Sequence, residues 1–184
     1  SESQLKRAIE KAQEQNLSID FQKLDARNLP FSNEFNLAIM ICEGAFPLME
    51  TDEMNFQILK SASDALKSKG KLIFTTLNGL FPLFHSVKDF LTSNSDKDNA
   101  SYDYTSFDLM TFRYKNVTTF TDDSGDQFDL DCNERYYVPS EITWLLKSLD
   151  FATIDIFGAR LGAFSRNDKL STEDFEMLII AQKS

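Results

Sequence analysis

The stretch IDFQKLDARNLPFSNEFNLAIMICEGAF, residues 19–46, holds two short apolar runs, and each run ends abruptly in small and polar residues. The run at 19–24 is followed by Asp-Ala-Arg, and the run at 35–41 by Cys-Glu-Gly. The second run is almost wholly apolar, which is typical of a parallel strand covered on both faces. Because ligands of open α/β sheets bind at the carboxyl ends of the strands, the stretch predicts two strands that end at a binding edge.

The rest of the chain continues an α/β pattern with one long interruption. Apolar spacing, capping residues and turn residues predict helices over 1–15, 51–67, 80–91 and 142–149, with Ser140 as the N-cap of the last, and strands over 71–77, 151–157 and 175–182. Alternating residues over 107–121 and 127–138 predict an antiparallel hairpin, and 158–172 is predicted to be a loop. We therefore expect an α/β core, 1–79 and 139–184, with an inserted α+β cap over 80–138.

Composition excludes several classes of protein. The 42% hydrophobic content is ordinary for a globular domain, and no apolar run reaches the roughly 20 residues of a membrane helix. The net charge of −10 argues against nucleic acid or an anionic membrane as partner. The two cysteines, Cys42 and Cys132, match no metal-ligand spacing, so we expect reduced thiols, no metal and a cytoplasmic location.

The order of these pieces resembles class I S-adenosylmethionine-dependent methyltransferases of the small-molecule type. The resemblance covers nearly the whole chain and is most specific in DARNLPF, FNLAIMI and LKSKGKL, where the family typically has DAxxLPF, FDxV and LKPGGxL. It implies a Rossmann-like methyltransferase sheet, S-adenosyl-L-methionine as cofactor and a small-molecule methyl acceptor. Asn36 departs from the family pattern at a position that tends to be structural, and Ser68 and Lys69 depart from it in a loop on the far side of the sheet from any ligand.

The resemblance also implies elements that this sequence does not contain. In the family, a first strand ends in a glycine-rich loop and a second in an acidic residue that binds the ribose. None of the six glycines of this chain lies in a G-x-G motif. We therefore expect an N-terminally truncated sheet that lacks the first two strands. Its exposed edge could pair with a second copy of the chain and so form a homo-oligomer.

Cofactor-binding candidates follow from the resemblance, residue by residue. The adenine side is expected at Asp25 and Ala26, with Gln4 and Leu5 nearby, although Asp25 could instead cap its own loop and Leu5 could be a core residue. The methyl side is expected at three consecutive residues, Cys42, Glu43 and Gly44, and a small buried thiol is the alternative interpretation of Cys42.

The sequence gives weaker evidence for catalytic residues than for cofactor-binding residues. Methyl transfer depends more on the alignment of the two reactants than on side-chain chemistry. His85 could act as a general base, although a lone histidine is more often a surface or structural residue. Glu43 could face the substrate, and Tyr137 could close over it or merely pack. The sequence thus favours methyl transfer to a small molecule. The alternative is a cofactor-incompetent fragment or a strand-exchanging binding module without activity of its own.

Overall fold

The computed structural model describes residues 2–42, 46–87, 106–122, 124–160 and 163–184. Four helices and eight strands lie within these ranges. In chain order they are α1 (Glu2–Glu14), β1 (Phe35–Met40), α2 (Asp52–Ala65), β2 (Leu66–Leu77), α3 (Leu80–Phe84), β3 (Ser106–Asp108), β4 (Arg113–Thr121), β5 (Gln127–Arg135), α4 (Pro139–Ser148), β6 (Phe151–Arg160), β7 (Ala163–Lys169) and β8 (Glu176–Lys183).

Five strands form the main sheet, in the order β1-β2-β8-β6-β7. β1 and β2 are parallel, while β8 runs antiparallel to both of its neighbours, β2 and β6. The connection from β1 to β2 passes through α2, as a parallel pair requires. The carboxyl ends of β1 and β2 therefore lie at the same edge of the sheet.

The core packs between this sheet and the helices α2 and α4. Fully buried side chains come from the sheet (Leu72, Phe74, Ile179), from α2 (Leu59) and from α4 (Ile142). The helix α2 begins where the Thr51 hydroxyl accepts a hydrogen bond from the backbone N–H of Met54, a standard N-cap. The buried core thus joins the main sheet to α2 and α4.

A smaller antiparallel sheet, β3-β4-β5, stands beside the main sheet. The strands β4 and β5 pair in an unbroken register from Thr121 opposite Gln127 to Arg113 opposite Arg135. Tyr137 then joins the end of β2 by backbone hydrogen bonds, since its N–H donates to the Leu77 carbonyl and its carbonyl accepts from the Gly79 N–H. These bonds deliver the end of the hairpin to the carboxyl edge of the main sheet.

The strand β1 lies at the edge of the main sheet, with β2 as its neighbour in the described part of the chain. The side chains of Phe35, Leu37 and Ile39 point to one face and are exposed, Ile39 to 60%. Ala38 and Met40 point to the other face and pack against the core. One side-chain face of a nearly all-apolar strand is therefore open to solvent.

Three predictions about secondary structure are wrong. Residues 19–24 do not form a strand: the segment is irregular and mostly exposed, and the described residues place no strand beside it. Residues 158–172 are not one loop, because β6 continues to Arg160 and β7 covers Ala163–Lys169. The N-cap of α4 is Val138, not Ser140, since Pro139 occupies the first helical position with its fixed φ.

Other boundaries shift by a few residues. The helix predicted over 51–67 ends at Ala65, where the chain passes directly into β2. The helix predicted over 80–91 is described as α3, Leu80–Phe84, and residues 88–91 lie outside the described part. In the described residues no helix is long and apolar enough to cross a membrane.

Candidate functional site at the junction of the two sheets

The smaller sheet meets the core through two buried arginines and one carboxylate. Arg113 Nη2 donates to Asp52 Oδ1 at 2.6 Å, and Arg135 Nε donates to Asp52 Oδ2 at 3.3 Å. Each arginine side chain is only 8% exposed, whereas that of Asp52 is 52% exposed. Asp52 is the first residue of α2, where the helix dipole also favours a negative charge.

The register of the hairpin makes this carboxylate necessary. Arg113 and Arg135 are directly opposite one another across β4 and β5. Like charges in directly opposite positions repel, and burial strengthens the repulsion. Asp52 lies within hydrogen-bonding distance of both guanidinium groups, so one carboxylate stabilises the pair.

Further donors of the two arginines are also directed at protein acceptors. Arg113 Nη1 donates to the carbonyl of Met49 at 2.8 Å and to Asn133 Oδ1 at 3.0 Å. Arg135 donates to the Tyr136 carbonyl, and its Nη2 donates to Glu141 Oε1 at 2.6 Å. These bonds fix the hairpin against both α2 and α4, because Glu141 lies in the first turn of α4.

Tyr137 lies at the centre of this junction. Its ring stacks on Phe46 at 4.9 Å between centroids, and the guanidinium carbon of Arg135 is 4.5 Å from the ring centroid. Its hydroxyl oxygen accepts from Asn55 Nδ2 at 3.2 Å. Burial, together with the nearby charge of Asp52, raises the pKa of the Tyr137 hydroxyl well above its ordinary value. Tyr137 is therefore a neutral phenol at physiological pH, suited to packing and hydrogen bonding.

A surface cavity of about 390 Å³ opens at the junction. Polar and apolar groups share its lining: Asp52, Arg135, Tyr137, Ser140, Glu141, Trp144 and Leu145. Trp144, the single tryptophan of the chain, is 74% exposed beside it. The cavity thus combines half-exposed carboxylates with an aromatic wall.

The end of β2 is fixed by a second buried group, the amide of Asn78. Its Nδ2 donates to the Asp174 carbonyl at 2.7 Å and to the Ser171 carbonyl at 3.2 Å, and its Oδ1 accepts from the N–H of Leu80. Asn78 is fully buried, so these bonds satisfy a polar group that would otherwise be costly. Its amide is committed to holding the turn after β2.

The predicted adenine-side residues lie on an exposed loop and on α1. Asp25 accepts from Arg27 in a fork, with Nε at 3.0 Å and Nη2 at 2.6 Å, and its Oδ1 also accepts from the Arg27 N–H. The side chain of Arg27 is the main reason that the pKa of Asp25 falls from 3.8 to about 2. Asp25 therefore does cap its own loop, and its role toward a cofactor stays a prediction.

The start of α1 is tied to the same region, because Lys23 Nζ is 2.9 Å from Glu2 Oε1. This contact brings the first turn of α1, with Gln4 and the half-buried Leu5, toward the segment that leads to Asp25. Ala26 is half-buried against the core. The ion pair thus ties the first turn of α1 to the segment before Asp25, and contact of Gln4 or Leu5 with Asp25 or Ala26 stays a prediction.

The methyl-side residues are only partly described. Cys42 is exposed, so the interpretation as a buried thiol is wrong, and its φ of 57° places it in the left-handed region at the end of β1. Glu43 and Gly44 lie outside the described residues. Phe46, which follows them, is fully buried against Tyr137 and so connects the end of β1 to the junction.

His85 lies in a different cluster from the junction. Its ring packs on Phe81 at 4.4 Å, and its Nε2 is 3.4 Å from Glu173 Oε2 without the alignment of a hydrogen bond. The structure therefore brings Tyr137, but not His85, to the cavity.

Sequence reasoning missed Asp52, Asn55, Arg113, Glu141 and Trp144. One signal was available: the dipeptide Arg-Tyr occurs at 113–114 and again at 135–136, at equal distances from the turn at 122–126. In a hairpin this symmetry places the two arginines opposite one another.

Comparisons with known proteins give a fold. No protein-family model and no curated protein match the chain. An S-adenosylmethionine-dependent methyltransferase from Clostridium acetobutylicum has 18% identity and a TM-score of 0.69, over 100% of this chain and 72% of that one. The CcbJ methyltransferase from Streptomyces caelestis has 11% identity and a TM-score of 0.71, over 100% and 77%.

A third solved structure contains ligands. The 1,6-didemethyltoxoflavin-N1-methyltransferase from Burkholderia thailandensis, with bound 1,6-didemethyltoxoflavin and S-adenosylhomocysteine, has 11% identity and a TM-score of 0.51, over 94% of this chain and 54% of that one. At these identities the likeness establishes the fold. The chain has the α/β fold of S-adenosylmethionine-dependent methyltransferases, which confirms the fold that the sequence resemblance predicted.

Asp52→Asn is expected to lower the free energy of unfolding by about 2 kcal/mol, after allowance for the solvent exposure of Asp52, because two buried guanidinium groups lose a charged acceptor. Denaturant unfolding followed by Trp144 fluorescence measures the loss. Glu53→Gln removes the same charge from the next residue and should change stability by less than about 0.5 kcal/mol. Equal effects of the two variants would contradict the role given to Asp52.

Arg27→Gln is expected to return the pKa of Asp25 from about 2 toward 3.8, because the Arg27 side chain is the largest cause of the depression. Because the pKa of Asp25 is lowered, the ionised pair with Arg27 stabilises the loop fully above about pH 4. This stabilisation is lost as the pH falls through about 2 and Asp25 becomes protonated. Carboxyl-carbon NMR titration measures the pKa. The control Arg166→Gln, which removes the partner of Asp155, should leave the Asp25 titration unchanged.

Proposed function

We propose that this protein transfers a methyl group from S-adenosyl-L-methionine to a small molecule. One observation carries the proposal: the whole chain superposes on solved methyltransferases, and a cavity with polar and aromatic walls opens at the carboxyl edge of its parallel strands. Ligands of open α/β sheets bind at that edge. Residues 80–138 are proposed to form the substrate-side cap over the core of 1–79 and 139–184.

The residues at the adenine end fit the proposed cofactor in chemical terms. Asp25 offers exposed carboxylate oxygens, which accept hydrogen bonds from an exocyclic amino group, and Ala26 lies next to it against the apolar core. Gln4 and Leu5 would flank the adenine, while Cys42, Glu43 and Gly44 would lie near the methyl group. When bound, the cofactor supplies a methyl group on a sulfonium, already a good electrophile.

The protein would then contribute position and exclusion of water. The stack of Phe46, Tyr137 and the Arg135 guanidinium forms a rigid wall beside the end of β1. Tyr137 is suited to this role as a neutral phenol that hydrogen-bonds Asn55. Glu43 and His85 remain the candidates for accepting a proton from the acceptor, and His85 would require a movement from its cluster with Glu173.

The alternative, a cofactor-incompetent or strand-exchanging module, has less support, because the solved structures that share this fold are methyltransferases. One observation still favours strand pairing as an additional property. The edge strand β1 exposes Phe35, Leu37 and Ile39, and such an edge accepts a further strand readily. We propose a homo-oligomer through this edge.

The 184-residue chain is expected to bind S-adenosylhomocysteine in isothermal titration calorimetry. Asp25→Asn should weaken binding by about tenfold or more, because a hydrogen bond to a charged acceptor is replaced by a neutral one. Asp20→Asn, an exposed carboxylate that accepts from Gln22, is the matched control and should bind like the parent protein. Failure of the parent chain to bind would contradict the proposed function, and equal affinity of Asp25→Asn would contradict the role of Asp25.

The chain is expected to be a dimer or larger oligomer by light scattering, and Ile39→Lys should make it monomeric, because a charge on the exposed flank of β1 opposes strand pairing. Val117→Lys places the same charge on an exposed apolar position of β4 and should leave the oligomer intact. A monomeric parent protein, or an oligomer that persists in Ile39→Lys, would exclude pairing through β1.

A further inference from the structure

The free edge of β1 lies beside an apolar groove. The groove has a volume of about 360 Å³, and its lining consists of apolar side chains from β1, β2, α2 and the connection 26–31. Phe35, Leu37 and Ile39 of β1 are exposed along it. An edge that offers both backbone hydrogen-bonding groups and apolar side chains accepts a further strand.

The segment 17–22 of the same chain has the pattern of such a strand. Apolar and polar residues alternate along it, in the order Leu17, Ser18, Ile19, Asp20, Phe21 and Gln22. Leu17 and Ile19 are 52% and 53% exposed. Within the part of the chain that the structure describes, the backbone of residues 18–22 makes no hydrogen bond. The segment therefore lacks a neighbour, as β1 does on its free side.

One antiparallel register matches the segment to β1 on both faces, since directly opposite residues share a face. The apolar pairs are Leu17 opposite Ile39, Ile19 opposite Leu37 and Phe21 opposite Phe35, and the pairs on the other face are Ser18 opposite Ala38, Asp20 opposite Asn36 and Gln22 opposite Glu34. Each carboxylate in this register faces an amide that can donate a hydrogen bond to it. A shift by two residues would set Asp20 opposite either Ala38 or Glu34 instead.

The segment of the same copy is held away from β1 by its connection. The N–H of Leu29 donates to Ser61 Oγ at 2.8 Å, and the N–H of Glu34 donates to the Ala65 carbonyl at 2.9 Å, so the connection follows α2. Among the described residues of one copy, segment 17–22 shares no hydrogen bond with β1. A second copy supplies the same segment without this restraint.

The distribution of charge also favours the segment as the part that approaches a second copy. The chain has a net charge of −10, which opposes the association of two copies in general. Residues 1–24, however, contain four basic and four acidic residues, so this part carries no net charge. Pairing of β1 with a second β1 about Leu37 would instead bring Glu34 opposite Met40.

We propose that segment 17–22 of one copy pairs with β1 of a second copy as an antiparallel strand, with Ile19 opposite Leu37. The exchange is reciprocal, so two copies form a closed dimer. This pairing identifies the partner segment of the homo-oligomer in the proposed function, on which it rests. It also explains why Ile39→Lys is expected to disrupt the oligomer, because Ile39 would lie opposite Leu17.

A disulfide between copies tests the register, in a parent protein with Cys42→Ser and Cys132→Ser so that no natural thiol competes. Chains with Ile19→Cys and chains with Leu37→Cys, each with its own affinity tag, are produced together and oxidised. The disulfide-linked dimer with both tags is expected in at least about fivefold higher yield than from Asp20→Cys with Leu37→Cys, because residue 20 would point to the other face.

Three results of this experiment would overturn the proposal. The first is an equal yield from the two combinations. The second is a linked dimer from Leu37→Cys chains with each other but not with Ile19→Cys chains, which would indicate pairing of β1 with β1. The third is an intramolecular disulfide in a chain with both substitutions and none between copies, which would indicate pairing within one copy.

Charge substitutions at Gln22 test the same register without changing an apolar contact. Gln22→Glu would place two carboxylates opposite one another at Glu34, whereas Gln22→Lys would place an ammonium group there. The dissociation constant of the dimer, measured by sedimentation equilibrium, is expected to be about tenfold higher for Gln22→Glu than for Gln22→Lys, with a smaller ratio at high salt. Glu34→Gln added to Gln22→Glu should restore the parent value. Equal constants for the two single variants would overturn the register.

Failure of this pairing can be distinguished from failure of the proposed function. A monomeric parent protein in light scattering would contradict both the proposed homo-oligomer and the pairing. A dimer without the disulfide between positions 19 and 37 would overturn the pairing alone. Methyl transfer is judged by S-adenosylhomocysteine binding of the same parent protein, and the disulfide experiment decides the pairing whichever way that binding turns out.

Discussion

The carboxylate of Asp52 is the contact on which the arrangement of the two sheets depends. It accepts hydrogen bonds from two buried arginines that face one another across a hairpin, and it does so from the first residue of the helix that follows β1. The hairpin, the helix α2 and, through Glu141, the helix α4 therefore meet at one charged cluster. The cavity lies where these three elements come together.

Much of the core could be predicted from local sequence. The apolar run at 35–41, the Thr51 cap and the stripe of α2 each specify their element through nearest neighbours in the chain, and β1 and α2 occur where these signals place them, whereas β2 begins at Leu66, well before the predicted start at Lys71. The segment 19–24 shows the limit of this reasoning. Its apolar content predicts a strand, but a strand also needs a neighbour to accept its hydrogen bonds, and the described residues provide none.

The junction could not be predicted in the same way, because its members come from distant parts of the chain. Asp52 lies 61 residues from Arg113 and 83 from Arg135, and only the register of the hairpin and the packing of α2 bring them together. Charged residues at such positions look like ordinary surface residues in sequence. Family resemblance did not identify them either, because it points to Asp25 and Ala26 and to the residues Cys42 to Gly44 that follow β1.

The register of β4 and β5 couples the length of a remote turn to the chemistry of the junction. In a β-strand, successive side chains alternate between faces, so a slip of one residue reverses the face of every side chain. Insertion or deletion of a single residue in the turn at 122–126 would therefore turn one arginine away from Asp52 unless a bulge absorbed the change. The site therefore constrains the number of residues in this turn strongly and their identity little.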